Sequence, residues 1–541
     1  MANPSTGCRS LLGCLVFGLM ALAIAPCPVL SQSGFIERLD GSRLSFAEVD
    51  ELVSDVMREA HVTGMQIAVL NDSRPKYVQS YGFRDPAKTV SVNNDTVFQA
   101  ASFSKSMFAT LVMKLVEEGR FDLDKPVHEY LEFPLYELEN FRFDYLDLKD
   151  DERHKKITGR MLLTHTAGFR NYRFMGDDNN RLLIHFEPGT QFHYSGEGII
   201  LLQSIVEIAT GESLVALSEQ YLFEPLDMRR TGYVWDDAFA DNVTVGFNRA
   251  EEAYELRTTT TASAAYSAVT TVTDFAKLLT AILGSTLLRD DLKAAMIAPQ
   301  HRILTKTQFG PAAFVIEDGN THDDIELAYG LGWGVLKSPY GYAFIKEGND
   351  DGFQHYSIVF ENGTGLVIMT NSDNGDSTFQ YLNERVIGNS FTPWDWEMIL
   401  PYDEKQSIAD EVALALRNYH NVFSNASPST MADQIYGVPL VSVSATGETT
   451  TWRTRAEVIA MLSSLTTNLR EQGWVRSAMP NPQICVFGRD AGIAVGEFVR
   501  YREDGSEISR IGMSYVFEKR DGEWKMTTFV AQAEGQSSPC A

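Results

Sequence analysis

Two residues three apart carry the first sign of chemistry. In Ala100-Ala101-Ser102-Phe103-Ser104-Lys105-Ser106-Met107 a hydroxyl, Ser102, precedes an amine, Lys105, by one helical turn. That spacing puts both side chains on one helix face, within reach of each other. A serine hydroxyl is a poor nucleophile until a base takes its proton. A lysine is that base only where its surroundings hold it partly neutral. A helix N-terminus adds free N–H groups, which favour an oxyanion. Spacing alone also arises by chance, and Ser73-Arg74-Pro75-Lys76 repeats it. That second match sits between two apolar runs and reads as a hairpin loop. Ser102 differs in its context. Met107, Leu111, Val112, Leu115 and Val116 follow at helical spacing, and Gly119 closes the run.

Further polar groups must converge on such a pair. Tyr194 stands in a Tyr-Ser-Gly turn at the mouth of a helix, 199–210, ended by Gly211. Lys346-Glu347-Gly348 ends one strand of a late meander. A tyrosine between two ammonium groups would have its phenolate favoured. It would accept the serine proton and pass it to the leaving group. His165, in Leu162-Leu163-Thr164-His165-Thr166-Ala167-Gly168-Phe169, reads as a packed helix end. His193 adjoins Tyr194 and points the opposite way in an extended segment. The ten histidines show no H-E-x-x-H spacing, so neither metal nor cofactor is implied. No G-x-S-x-G elbow occurs.

The elements that must position these groups follow from periodicity. Residues 45–60 read as an amphipathic helix with Ser45 and Glu48 as a capping box. Residues 65–70 and 77–81 read as paired strands, and 159–169 as a helix turn ending at Gly168. Residues 269–283 read as another helix. Tyr329 to Val335 reads as a glycine-spaced strand, followed by strands at 342–346, 354–360 and 366–370. Helices feeding an antiparallel sheet make an α+β fold. A polar, proline-containing hinge spans 394–405. Beyond it come helices at 408–423 and 454–470, with strands at 439–445, 484–487, 492–501, 509–519 and 524–532. This gives a second, smaller α+β unit.

The chain has 541 residues, 44% hydrophobic and 22% charged, which calls for more than one globular domain. Its formal net charge of −26 excludes nucleic acid and anionic membrane surfaces as partners. Arg9 followed by an uncharged run from Leu11 to Ala25 reads as a secretory signal over 1–31. The expected location is therefore exported, periplasmic or secreted, with no membrane span once the signal is removed. Three of the five cysteines fall in that signal. Cys485 and Cys540 remain, and an even pair in an exported chain invites a disulfide. The expected division is 1–31 signal, 32–400 first domain and 405–541 second domain.

Residues from about 45 to 395 resemble the serine β-lactamase-like, or penicillin-recognising, superfamily. The nearest branch holds class C β-lactamases, D-Ala-D-Ala carboxypeptidases and family VIII carboxylesterases. The resemblance rests on Ser102-Phe103-Ser104-Lys105, on Leu162 to Phe169, on Tyr194-Ser195-Gly196, on Tyr329-Gly330-Leu331-Gly332-Trp333, and on Lys346-Glu347-Gly348 with Gly352-Phe353. It implies an antiparallel sheet flanked by helices, with a helical subdomain. It also implies acylation of Ser102, proton handling by Lys105 and Tyr194, and substrate contacts from Lys346, Gly348 and Asn349. The N–H groups of Ser102 and Asn349 would form the oxyanion hole. Residues 405–541 resemble cone-shaped nuclear-transport-factor-two-like and SnoaL-like domains, which hold a small ligand or dimerise.

Two positions depart from the family pattern. Gly196 stands where Asn is usual, and Glu347 where Thr or Ser is usual. A carboxylate there repels the carboxylate of a penicillin or a D-Ala terminus. The expected activity is therefore serine hydrolysis of a small-molecule or short-peptide ester or amide. A β-lactamase or D-Ala-D-Ala carboxypeptidase is the alternative, and an inactive binding protein on the same scaffold a second. Retention of Ser102, Lys105 and Tyr194 favours the enzyme.

Overall fold

The computed structural model describes residues 34–532, apart from 176–177, 285 and 317–321. The expected signal, 1–31, and Cys540 lie outside the described residues. Cys485 is disulfide-bonded.

Ser45 caps the helix Phe46–Glu59. Its hydroxyl accepts from the Glu48 N–H, and the Glu48 carboxylate accepts from the Ser45 N–H at 2.7 Å. This is the expected capping box. The stripe Phe46, Val49, Val53, Val56 and Met57 then packs on an eight-stranded antiparallel sheet. The strand order across that sheet is Arg74–Gly82, Gly64–Asn71, Gly365–Thr370, Phe353–Phe360, Gly341–Asp350, Gly334–Ser338, Ala328–Tyr329 and His301–Arg302. Side chains alternate across the pleat. Ile345, Ile358 and Ile368 face one core, with the helix Phe46–Glu59. Phe344, Val359 and Met369 face the other, with the helix Phe103–Glu117. Asp72 and Ser73 both take positive φ, 50° and 62°, so the first hairpin closes in a primed turn. The second Ser-x-x-Lys match is therefore turn chemistry.

The helix that carries Lys105, Phe103–Glu117, differs from its amphipathic expectation: it is buried on nearly every side. Its hydroxyls are absorbed locally. Ser106 Oγ donates to Phe103 O at 2.8 Å, and Thr110 Oγ1 to Ser106 O at 2.8 Å. The glycine-spaced run also differs. It is two strands, Ala328–Tyr329 and Gly334–Ser338, broken between them. Gly332 makes that break with φ +84°, and a Cβ there would overlap Ala109 Cβ on the Ser102 helix. The apolar turn after residue 159 is helical only over Gly159–Leu163, and His165 leaves it at φ 56°.

The second unit wraps a seven-stranded sheet against the helix Tyr402–Asn425, with its own core around Val412, Leu416, Tyr419 and Phe498. The helix Arg455–Glu471 and the strands Gln483–Val486, Ala491–Arg502, Glu507–Arg520 and Glu523–Gln532 fall where expected. The strands Thr449–Trp452 and Trp474–Ala478 and the helix Pro428–Gln434 were not expected. Tyr436–Val443 pairs parallel with Glu523–Gln532, and the sheet's other pairings are antiparallel. Ionic contacts tie the units together at the hinge. Arg489 pairs with Asp395 and Glu404, and Lys405 with Asp376 at 3.0 Å.

Candidate active site

The chain enters the nucleophile through a short strand, Phe98–Gln99, paired with Val269–Thr270. Ala100 N–H then donates to Ala268 O at 2.7 Å. Ala101 turns sharply at φ 47°, and Ser102 sits at the N-cap of the helix, partly exposed. Its N–H has no backbone acceptor among the described residues. A free N–H beside the hydroxyl, at a helix N-terminus, is what an oxyanion requires. One turn on, Lys105 Nζ lies 2.9 Å from Ser102 Oγ and donates to Ala265 O at 2.7 Å. Only 2% of Lys105 is exposed. Burial, and secondarily the positive charge of Lys346, push its ammonium well below the usual lysine range. The amine thus meets the neutral-base condition.

Tyr194 stands over this pair. Lys105 Nζ and Lys346 Nζ lie 5.0 Å and 5.1 Å from its ring centre, and Lys346 Nζ donates to its Oη at 3.3 Å. The direction of the phenol's shift differs from the expectation. Burial first, and then the Glu347 charge, raise Tyr194 well above the usual phenol range, outweighing a hydrogen bond with Ser102. The ammonium groups do not make a phenolate because Lys105 is itself held towards neutrality and Lys346 is compensated. Lys346 Nζ lies 2.6 Å from Glu347 Oε1 and donates to Glu347 O at 2.9 Å. Tyr194 therefore rests as a proton donor, not an acceptor.

Ser102, Lys105, Tyr194, Glu347, Gly348 and Asn349 line one cavity of about 580 Å³. Lys346 lies one layer behind, fully buried, and supports Tyr194 and Glu347. Gly348 passes close to the nucleophile turn: a Cβ there would stand 3.2 Å from Ala100 O. The strand Gly341–Asp350 pairs with Gly334–Ser338 only as far as Ile345, so Lys346 to Asp350 present a free edge on that side. His165 is not in the cavity lining. Its ring packs 4.5 Å from that of Tyr194, and its Nδ1 accepts from Ser195 N–H at 3.2 Å. It fixes the tyrosine turn. His193 faces away, stacked 3.9 Å from Phe314.

Tyr172, Arg142 and Glu397 are among the cavity residues that escaped the sequence reading. Tyr172 fills the space beside Gly196, so that a Cβ there would stand 2.5 Å from Tyr172 Cζ. The asparagine that the family pattern carries has no room. Arg142 Nη1 donates to Tyr266 Oη at 2.7 Å, and its guanidinium lies 5.5 Å from the Tyr172 ring centre. Glu397, from the hinge, reaches the cavity from the far side. Tyr172 and Arg142 sit in irregular segments without periodicity, and no signal in the chain marks them. Glu397 had one: an acidic residue flanked by Trp394, Trp396, Met398 and Ile399.

Comparison with known proteins agrees with this architecture. The Beta-lactamase family model matches residues 49–388, and that of the NTF2-like protein (DUF6841) matches residues 410–534. Among curated proteins, the chain is 23% identical over 214 residues to Protein flp of Staphylococcus aureus (strain MW2), covering 37% of this chain and 41% of that protein. It is 27% identical over 221 residues to Esterase EstB of Burkholderia gladioli, covering 36% of this chain and 53% of the esterase. These matches span only about half the length of the curated relatives or less. The octameric penicillin-binding protein homologue from Pyrococcus abyssi superposes with a TM-score of 0.52 at 16% identity, covering 89% of this chain and 98% of the other. With its motifs in family order and the family model matching well over half its length, the chain belongs to the beta-lactamase family, with an NTF2-like domain at its C-terminal end.

Proposed function

We propose that the protein is an exported serine hydrolase that forms an acyl-enzyme on Ser102 and acts on an ester or amide. The observation that carries this reading is the 2.9 Å approach of a buried, neutral-leaning Lys105 amine to the Ser102 hydroxyl. Lys105 takes the hydroxyl proton as Ser102 Oγ bonds to the carbonyl carbon. The carbonyl electron pair moves to oxygen, where the N–H groups of Ser102 and Asn349 receive it. As the tetrahedral intermediate collapses, the bond to the leaving group breaks. Tyr194 gives that group its proton and is reprotonated from Lys105. Water then repeats the sequence on the acyl-enzyme, releasing the acid and free Ser102.

The substrate class follows from the altered positions. Glu347 places a carboxylate in the cleft and consumes the Lys346 charge. Tyr172 closes the space beside Gly196. Both features disfavour a β-lactam or a peptide with a free carboxylate. The disulfide at Cys485 suits an oxidising compartment and so accords with export.

The test is covalent labelling. A fluorophosphonate should add one mass to the wild-type protein, on Ser102, and none to Ser102→Ala. An unlabelled wild type defeats the reading. A p-nitrophenyl ester, nitrocefin and a D-amino-acid p-nitroanilide assayed side by side rank the substrate classes, and turnover of nitrocefin alone would reverse the ranking.

A further inference from the structure

The carboxylates that line the cleft are, all but one, matched by a cation. Asp350 Oδ2 lies 2.8 Å from Arg257 Nη2, Asp376 Oδ1 lies 3.0 Å from Lys405 Nζ, and Glu347 Oε1 lies 2.6 Å from Lys346 Nζ. Glu397 is the exception. It lines the same cavity as Ser102, is only 5% exposed, and neither of its carboxyl oxygens has a hydrogen-bond partner among the described residues. Leaving a buried carboxyl unsatisfied is costly, and such a group calls for a reason. Burial, with the negative charge of Glu347 adding to it, pushes Glu397 well above the usual carboxylate range, and the Lys346 ammonium only partly opposes this. An incoming cation would reverse that penalty.

We propose that Glu397, together with Glu347, forms a subsite for a primary ammonium group on the substrate, so that the esters or amides acted on carry a free amine. This rests on the hydrolase reading for its placement beside Ser102. An ammonium group has three N–H donors and no acceptor. Both Glu397 oxygens and the Glu347 Oε2 are acceptors that could meet them. A metal ion fits less well. The described residues contain no cluster of three or more His, Cys, Asp or Glu side chains able to hold one, and hard cations such as Ca²⁺ ask for six to eight oxygen ligands. Phe309, Met398 and Ile399 line the cavity too and supply an apolar surround for the carbon next to the amine. At so buried a carboxyl a charge-assisted hydrogen bond discriminates strongly between an ammonium and its neutral isostere.

Binding can be measured without turnover. Ser102→Ala protein is titrated calorimetrically with benzylamine and, separately, with benzyl alcohol. The expected result is that the ammonium binds at least about tenfold more tightly, the difference that one charge-assisted hydrogen bond supplies. The preference should vanish in Ser102→Ala/Glu397→Gln and in Ser102→Ala/Glu397→Leu. The leucine variant also removes the buried carboxyl, so its thermal midpoint should be no lower than that of its parent. Equal binding of the two probes, or a preference that survives both substitutions, overturns the proposal. Labelling of wild type by a fluorophosphonate separates the two readings. An unlabelled protein that still prefers benzylamine would defeat the hydrolase and keep the subsite. A labelled protein without the preference would do the opposite.

Discussion

Tyr172 and Gly196 are fitted to each other: the phenol ring stands where a side chain at residue 196 would begin. Replacing the glycine alone therefore forces the ring or the backbone aside. Gly196→Asn should destabilise the fold by ~1–3 kcal/mol, the usual cost of overpacking. Gly196→Asn combined with Tyr172→Ala should recover most of that loss in thermal denaturation. A loss in the double variant equal to the sum of the losses of Gly196→Asn and Tyr172→Ala alone would show that the two positions are independent.

The amine of Lys105 must be unprotonated to act, and burial lowers its folded value well below 10.5. Activity should therefore persist far below pH 10.5 and fall as pH drops through the lowered value, giving an acid limb to kcat/KM on a p-nitrophenyl ester. Tyr194 is raised above 10.0, so its ionisation should cause no loss below about that pH. Lys105→Met should lose ~10³-fold in kcat, within the usual range for a general base. An acid limb close to 10.5 would refute a buried neutral amine.

Gly332 is held at φ +84° against Ala109. Gly332→Ala adds both a strained backbone and an overlap with the helix that carries Lys105. A loss of ~2 kcal/mol or more is expected in urea unfolding. Ala109→Gly should relieve part of it, because the overlapping atom is then gone.

His355 is buried and lowered from 6.5 to about 4, with desolvation the main cause. Its Nε2 lies 2.6 Å from Gln99 O, and its Nδ1 accepts from Thr370 N–H at 3.3 Å, which suits the neutral ring. Above pH 6.5 neither state is protonated, and the neutral ring's contribution is complete. As pH falls from 6.5 towards about 4, the unfolded chain takes up a proton that the folded chain refuses. Stability then drops, by up to ~3 kcal/mol for a shift of this size. Urea midpoints at pH 7.0, 5.5 and 4.5 should fall in that order. The fall should be shallower for His355→Gln.

The order Ser102, Lys105, Tyr194, Lys346 could be read directly because each lies in a short segment whose local chemistry is distinctive: a helix start, a turn, a strand end. The surrounding sheet was legible for the same reason, since alternation and turn residues mark strands in sequence. What was lost depends on distance in the chain. The spacing of Met107, Leu111, Val112, Leu115 and Val116 marked one apolar face, but the hydroxyls of Ser104, Ser106 and Thr110 bond to nearby backbone carbonyls and the helix is interior. The break at Gly332 is dictated by Ala109, more than two hundred residues earlier, and nothing local reveals it. The proton state of Tyr194 likewise depends on its burial among residues distant in the chain, such as His165 and Phe309. Counting nearby charges pointed the other way.

Arg489 binds Asp395, two residues before Glu397, and binds Glu404 on the opening helix of the second unit. That bracket makes the NTF2-like domain a splint for the rear wall of the cleft. The contact holds that strip of hinge beside the cavity that Glu397 lines. Severing the splint, as in Arg489→Glu, would loosen selection at the cleft while the nucleophile and its base stay where they are.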